Sequence, residues 1–419
     1  MSQAGAGRRV LIVGINYAPE QVGIGPYSAG LAEALVARGH RVAMIAGKPY
    51  YPKWRVDPAF AGGGWRHGVE NGVTITRCPH YVPADPGGLK RIIHLASFAL
   101  TALPFAIRAG LARRAERPDV VIAIAPALFS VVSAWIAARL AGAKLWVHVQ
   151  DFEVEAALAT GLLPQDSLVG RFAAWFESRI LRLADRASTI SPQMCAKLVA
   201  KGVDPQRVLE VRNWANASFA PDAAGAAAIR AEWGLGQRKV ALYSGNIARK
   251  QGIEILVEAA RALKDRDDIA FVICGEGPNR AELERLATGL PNVQLHDLQP
   301  AGKMGAMLTM ADLHLLPQIA GAADLVLPSK LTNMLLSGRP VIATTEPGTG
   351  LYDEVDGCGV ITPPGDAAAL AAAIAALADD PERRATYGAA ASQRAQERWM
   401  QGAIIDRVEA ELGALLPAR

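Results

Sequence analysis

Cysteine is scarce in this chain and never paired at short spacing. Cys78, Cys195, Cys274 and Cys358 are its four cysteines among 419 residues, and no C-x-x-C occurs, so neither a zinc ribbon nor a dithiol redox motif is readable. The 7 histidines include no close ligand-like pair, and G-x-x-x-x-G-K-[ST], H-E-x-x-H and G-x-S-x-G are all missing. Nucleotide hydrolysis on a P-loop, zinc proteolysis and the common esterase elbow therefore lose their usual signatures. One D-x-D, Asp265-Arg266-Asp267, stands ahead of the strand-like IAFVIC in a polar turn and reads as a solvated loop. No metal site and no cofactor are expected. An excess of basic residues is nearly missing too: 44 Lys and Arg against 40 Asp and Glu give +4, too little to argue for nucleic acid. MSQAGAGRR has no apolar core of a secretory signal ahead of the first strand, and together with the scattered cysteines this predicts a cytoplasmic location.

Long apolar runs are few. Val120 to Ala138 is uncharged and long enough to span a bilayer, but Pro126 interrupts it after a β-branched run, so it reads as buried strand, turn and helix. Ile92 to Ile107 is shorter, contains Pro104, and is flanked by Lys90, Arg91, Arg108, Arg113, Arg114 and Arg117. Two readings stay open for it, a helix lying at an anionic membrane surface and an ordinary buried helix.

What is present is a repeated strand-helix rhythm. RVLIVG, Arg9 to Gly14, reads as a strand buried on both faces; a helix follows near Pro26, and RVAMIAG is a second strand beyond Gly39. The rhythm restarts at Lys239 with VALYSG, GIEILVEAARAL, AFVICG, NVQLHD, ADLHLLP, SKLTNMLLSG and PVIAT. The predicted fold is α/β, with two Rossmann-like doubly wound domains facing across a cleft. The expected boundaries are an N-terminal domain over 1–212, a linker over 213–236 of low complexity, a C-terminal domain over 237–395, and a final helix over 396–419 packing back on the N-terminal domain.

The loops at predicted strand ends hold the candidate site residues. Gly23 and Gly25 stand in the first strand-to-helix loop, too far behind the strand for a dinucleotide fingerprint, and suit close approach by a phosphate or sugar. Gly245 and Asn246 open the connection NIARKQG, in which Arg249 and Lys250 supply two cations for a diphosphate. Gly275 and Glu276 lie in CGEGP, a glycine turn that lets a nucleoside approach the backbone. GAADLVLPSK brings Asp324 for sugar hydroxyls and Ser329 and Lys330 to a helix start, with Asn333 on that helix. In the first half, LWVHVQDFEVEA sets His148 and Asp151 at a strand end as candidate catalytic groups.

In this order, GINYAPEQVGIGPY, GKPYYPKW, HVQDFEVEA, YSGNIARKQG, GAADLVLPSKLTN and SGRPVIA resemble the retaining GT-B glycosyltransferases of family 4, and within them the colanic acid fucosyltransferase type. The likeness runs from about Val10 to Ala343. It implies a hexosyltransferase whose C-terminal half binds a sugar nucleotide and whose N-terminal half binds the acceptor. The implied donor is GDP-fucose, with UDP-glucose and GDP-mannose as alternatives. The implied acceptor is a polyprenyl-diphosphate-linked saccharide in exopolysaccharide assembly, met by peripheral contact at the inner face of the plasma membrane. Three departures stand out. The family's Gly-Arg and Lys-Gly become Asn246 and Gln251, and its paired glutamates are absent, with Asn333 at the second position and Asp324 beside the first. His148 lies two residues before Gln150, which aligns with the histidine of the usual His-Asp pair. An epimerase or hydrolase of the same build is the alternative activity.

Overall fold

Continuous apolar runs become the middle strands of two sheets in the computed structural model, which describes residues 7–21, 23–84, 88–126, 128–155, 167–214, 221–247, 251–277, 279–319 and 330–416. The chain divides into two units, residues 1–213 with 405–419, and residues 214–404.

In the first unit β1 (Arg9–Gly14), β2 (Arg41–Gly47), β3 (Arg66–Glu70), β4 (Val73–Cys78), β5 (Val120–Ala125), β6 (Lys144–Val149), β7 (Arg186–Thr189) and β8 (Val208–Glu210) form one sheet in the order β3-β4-β2-β1-β5-β6-β7-β8. All neighbours are parallel except β3 and β4. The chain leaves β1 toward β2 on one side and returns to β5 on the other, so the strand order reverses at the carboxyl ends of β1 and β5. Ligands of open α/β sheets gather at such a point.

The helix after β1, α1 (Gly25–Ala37), has proline in its first turn, as expected. Val120 to Ala138 resolves into β5, a break at Pro126, and α3 (Leu128–Ala141). Helix α2 (Gly88–Gly110) extends beyond the expected Ile92 to Ile107 at both ends and runs through Pro104. One face of it is buried and the other exposed. His94, Leu95, Phe98, Ala99 and Ala102 are buried, whereas Leu89 and Leu100 are about 70% exposed. It is the one described helix long and apolar enough to cross a membrane.

The second sheet is wholly parallel: β9 (Lys239–Ser244), β10 (Ile269–Cys274), β11 (Val293–His296), β12 (Leu313–Leu316), β13 (Val341–Thr344) and β14 (Gly359–Thr362), in the order β11-β10-β9-β12-β13-β14. Its order reverses between β9 and β12, so the carboxyl end of β9 is the corresponding crevice.

Two expected boundaries are corrected. The stretch expected as a linker over 213–236 contains a helix, Ala223–Glu232, capped by Asp222, with Ala226 and Ile229 buried in the second unit's core beside Val240, Leu242 and Met307. Its alanines read as low complexity, yet alanine is the strongest helix former and here supplies a packing face. The final segment also begins later than residue 396. Helix Pro381–Trp399 stays with the second unit, where Ala391, Ala395 and Trp399 pack with Leu331 and Met334. Residues from Ile405 onward, in the helix Gln401–Leu415, belong to the first unit, where Glu409 meets His40 at 2.9 Å and Glu411 meets Arg186 at 2.9 Å.

Candidate functional site

The crevice of the second unit is built around β9. Tyr243 is fully buried on this strand, yet its hydroxyl reaches the strand's end, 2.7 Å from both the Asn246 carbonyl and Gln251 Oε1. The same hydroxyl accepts a hydrogen bond from Lys330 Nζ at 2.8 Å, and the ammonium lies 4.2 Å from the centre of the tyrosine ring. Burial lowers the Lys330 pKa to about 8, so the group is mostly cationic at neutral pH and lacks a carboxylate partner among the described residues. A buried cation held by a neutral phenol and a ring face is available for an incoming anion.

Lys330 lines a cavity with Ser244, Gly245, Cys274, Leu298 and Asn333. Asn333 Oδ1 is buried there without a hydrogen-bond partner among the described residues, an acceptor open to a donor such as a ligand hydroxyl. The glycines that follow β9 and β10 are dictated by close backbone approach. A Cβ on Gly275 would stand 1.9 Å from the Gly245 carbonyl, and one on Gly277 2.2 Å from the Ile247 carbonyl. Gly245 has φ +137°, and a Cβ there would meet Lys330 Nζ at 3.2 Å. Glu276 is more than half exposed and 3.7 Å from Arg280, and Asn246 is exposed at the rim. Gly245, Asn246, Gly275, Glu276, Lys330 and Asn333 thus gather at the carboxyl ends of β9 and β10 and the helix Lys330–Leu336. Arg249, Lys250, Asp324 and Ser329 lie outside the described residues. Asp265-Arg266-Asp267 lies ahead of β10, at the opposite strand end, and Arg266 is taken by Asp268 and Asp379. Among the described residues no three His, Cys, Asp or Glu side chains converge as metal ligands.

In the first unit the loop after β1 is organised by Glu20, which the sequence reading passed over. Its carboxylate accepts from the Tyr50 and Tyr51 amides and from Asn16 Nδ2, each at 2.9 Å, tying this loop to the one after β2. The two glycines fit around that tie. Gly23 has φ +72°, and a Cβ there would meet the Tyr51 ring at 3.0 Å; on Gly25 it would meet Glu20 at 2.8 Å. Packing within the unit therefore requires glycine at both positions, because Tyr51 and Glu20 stand where a side chain would begin.

The expectation for His148 is corrected. The ring is buried on β6 between β5 and β7, Nδ1 is 2.9 Å from Ser188 Oγ, and Nε2 is 2.9 Å from Gln150, which is itself paired with Asn213. Burial drops its pKa to about 4, so it is a neutral core residue with both nitrogens engaged, unable to reach a substrate. Asp151, two residues beyond β6, is half-buried, with its pKa raised by burial and partly restored by Arg91. Next to it Glu153, absent from the expected set, faces Arg91 at 3.4 Å; burial pushes its carboxyl up to about 8. Two carboxyls with raised pKa at a strand end are what general acid-base chemistry requires.

Two open sheets of this order, parallel except for the edge strand β3, give two Rossmann-like α/β domains. The chain belongs to the GT-B glycosyltransferases: residues 22–214 match the family described as glycosyl transferase 4-like domain, and residues 226–394 the family described as glycosyl transferases group 1. It is 40% identical over 377 residues, 87% of its own length and 91% of the relative's, to the protein named colanic acid biosynthesis glycosyl transferase WcaI of Escherichia coli K12. It is 27% identical, over 93% of its length and 94% of the relative's, to a GDP-mannose-dependent alpha-(1-6)-phosphatidylinositol monomannoside mannosyltransferase of Mycolicibacterium smegmatis. Among solved structures, HepE of Anabaena in complex with UDP superposes with a TM-score of 0.68 at 15% identity, covering 97% of this chain and 100% of that one, a likeness of fold. The chain is a glycosyltransferase.

Proposed function

We propose that this enzyme transfers a sugar from a nucleotide donor held on the second unit to a lipid-linked saccharide, in exopolysaccharide assembly of the colanic acid kind. The observation that carries the reading is the Lys330 and Asn333 cavity at the end of β9, in a chain that shares 40% identity with WcaI over nearly its whole length. Lys330, with Arg249 and Lys250 from the adjoining connection, would hold the departing diphosphate. As the glycosidic bond opens toward an oxocarbenium-like state, charge develops on that leaving group, and fixed cations stabilise it without a metal ion. The acceptor hydroxyl then attacks from the same face, so the anomeric configuration is retained, and its proton leaves with the departing diphosphate. A guanosine donor, GDP-fucose first and GDP-mannose next, fits the named chemistry of the full-length mannosyltransferase relative. UDP-glucose is the remaining alternative. A lipid-linked acceptor stays at the bilayer, so the enzyme works at the inner face of the plasma membrane, with the exposed apolar side of α2 and its basic flanks as peripheral contact.

The test is a donor panel of GDP-fucose, GDP-mannose and UDP-glucose with a polyprenyl-diphosphate-linked saccharide, the product read by mass spectrometry and its anomeric configuration by NMR. Acceptor-dependent product from one of these donors supports the reading. Conversion or hydrolysis of the nucleotide sugar without acceptor makes the enzyme an epimerase or hydrolase instead.

A further inference from the structure

A second apolar surface lies on the first unit, on a helix that packs against α3. Helix Leu168–Leu181 starts at Ser167, whose hydroxyl accepts from the Gly170 amide at 3.0 Å. One side of the helix is buried through Gly170, Glu177, Ile180 and Leu181. The other side carries Leu168, Val169, Phe172 and Trp175, which are 83, 60, 62 and 55% exposed. Their spacing of one and then three or four residues lines them along one face. The rings are held outward by one another: Phe172 lies 5.6 Å from Trp175 and stacks on Phe176 at 6.2 Å, and Phe176 meets Phe129 of α3 at 5.7 Å. An exposed aromatic cluster of this extent on a folded surface marks an interaction site.

Charge decides what it meets. Helix α3 packs against both α2 and the helix Leu168–Leu181, so the three make one continuous layer. That layer exposes Lys90, Arg91, Arg108, Arg139, Arg171 and Arg179. Its single carboxylate, Glu177, is 1% exposed and turned inward to Lys201 at 2.6 Å. A face of cations, aromatic rings and aliphatic chains, with no exposed carboxylate on these three helices among the described residues, is complementary to anionic lipid headgroups above an acyl layer.

We propose that Phe172 and Trp175 insert into the interfacial region of an anionic membrane, so that helix Leu168–Leu181 anchors the first unit and α2 lies beside it as the weaker element. The purpose of this anchor rests on the lipid-linked acceptor assigned above, but its test does not require transfer. Cations hold the surface at low salt and are screened as salt rises, whereas buried rings are not. The two elements are therefore separable.

The experiment uses the full chain and vesicles of phosphatidylglycerol with phosphatidylcholine, some carrying brominated acyl chains that quench tryptophan emission on contact. Binding should be accompanied by quenching, and Trp175→Phe should bind nearly as tightly while losing the quenched component of the 8 tryptophans' emission. Phe172→Ser with Trp175→Ser should weaken binding at high salt by about tenfold or more, with unchanged thermal melting because both side chains are largely exposed. Replacing Lys90 and Arg108 by Ser should weaken binding chiefly at low salt. Quenching that persists in Trp175→Phe overturns the proposal, as does wild-type vesicle binding by the double variant. So does the double variant converting a dimer to a monomer in sedimentation, which would give the face to a second copy of the chain. No binding to either vesicle type overturns both this anchor and the peripheral location. Trp175 quenching in a protein that transfers no sugar leaves the anchor standing and removes the proposed reaction.

Discussion

Lys330 Nζ donates to the Tyr243 hydroxyl at 2.8 Å and sits 4.2 Å over the ring of the same tyrosine. Because that hydroxyl also contacts the Asn246 carbonyl and Gln251, one buried tyrosine ties the cation to both of these residues. The arrangement keeps a positive charge in place before any ligand arrives, which removes the reorganisation cost at the moment the leaving group forms.

Burial holds the Lys330 pKa near 8 in the free enzyme, below the ordinary lysine value. The cation is the useful form, so kcat/KM should be level below pH 8 and fall about tenfold per pH unit above it. A bound diphosphate favours the charged form, so the limb in kcat should lie higher. Lys330→Arg stays charged throughout and should lose the limb even at a lower overall rate. A wild-type kcat/KM that is flat to about pH 9.5 would contradict the assignment.

Glu153 offers the opposite sign. Its carboxyl is pushed up to about 8 in the folded protein, chiefly by burial, while the unfolded chain has an ordinary glutamate. The folded state therefore binds the extra proton between the two values, and stability falls as pH rises from the unfolded pKa through the folded one. Glu153→Gln mimics the neutral acid. It should raise the melting temperature at pH 9 by a few degrees, and by little or nothing at pH 4. A gain of equal size at both pH values would show that the effect is packing.

His148→Ala separates a core role from a catalytic one. Removing the imidazole takes one hydrogen-bond partner from Ser188, which keeps Trp146, and one from Gln150, which keeps Asn213, at a cost of about 1–3 kcal/mol plus a cavity. Melting should drop, while turnover per folded molecule in the cold should stay within a few-fold. A loss of turnover by about 100-fold at unchanged melting would restore the catalytic reading.

Much of this was legible in the chain itself. The apolar runs of β1, β5, β9 and β10 stand out because each is buried on both faces, and the glycines at Gly245 and Gly275 mark the places where two backbones touch. His148 was misjudged because such a strand hides the direction of a polar side chain, and its partner Ser188 lies on β7, remote in sequence. Gly23 lies in the loop after β1 as expected, whereas Gly25 already opens α1, and a sequence does not show that Tyr51 and Glu20 stand where a Cβ at either would go. Tyr243 and Glu153 stood inside the quoted motifs YSGNIARKQG and HVQDFEVEA and went unused, because burial gives them their chemistry. The helix Ala223–Glu232 was lost to its own alanines, which look like a spacer until Asp222 caps them and Met307 packs beneath.

Gly275→Ala should disturb the second unit, since the new methyl would lie 1.9 Å from the Gly245 carbonyl and force the ends of β9 and β10 apart. A loss of about 1–3 kcal/mol is expected, with nucleotide affinity lost alongside it. Gly402→Ala is the matched control. It lies in the helix Gln401–Leu415 with nothing within 4 Å of the added methyl, and should stabilise by roughly 0.5–1 kcal/mol. Differential scanning calorimetry of the two variants distinguishes close backbone approach from a general intolerance of glycine replacement.

The central claim is that side-chain cations, Lys330 foremost, take the place of a metal ion in stabilising the departing diphosphate. Turnover of the wild type and of Lys330→Met, each with excess EDTA and with added magnesium or manganese, tests it most directly. The wild type should transfer sugar equally well with and without EDTA. Lys330→Met should lose about 2.7–4 kcal/mol of transition-state stabilisation, on the order of 100- to 1000-fold in rate, with its fold intact and no rescue by metal. Transfer that EDTA abolishes and manganese restores, or a Lys330→Met enzyme that turns over like the wild type, would contradict the account.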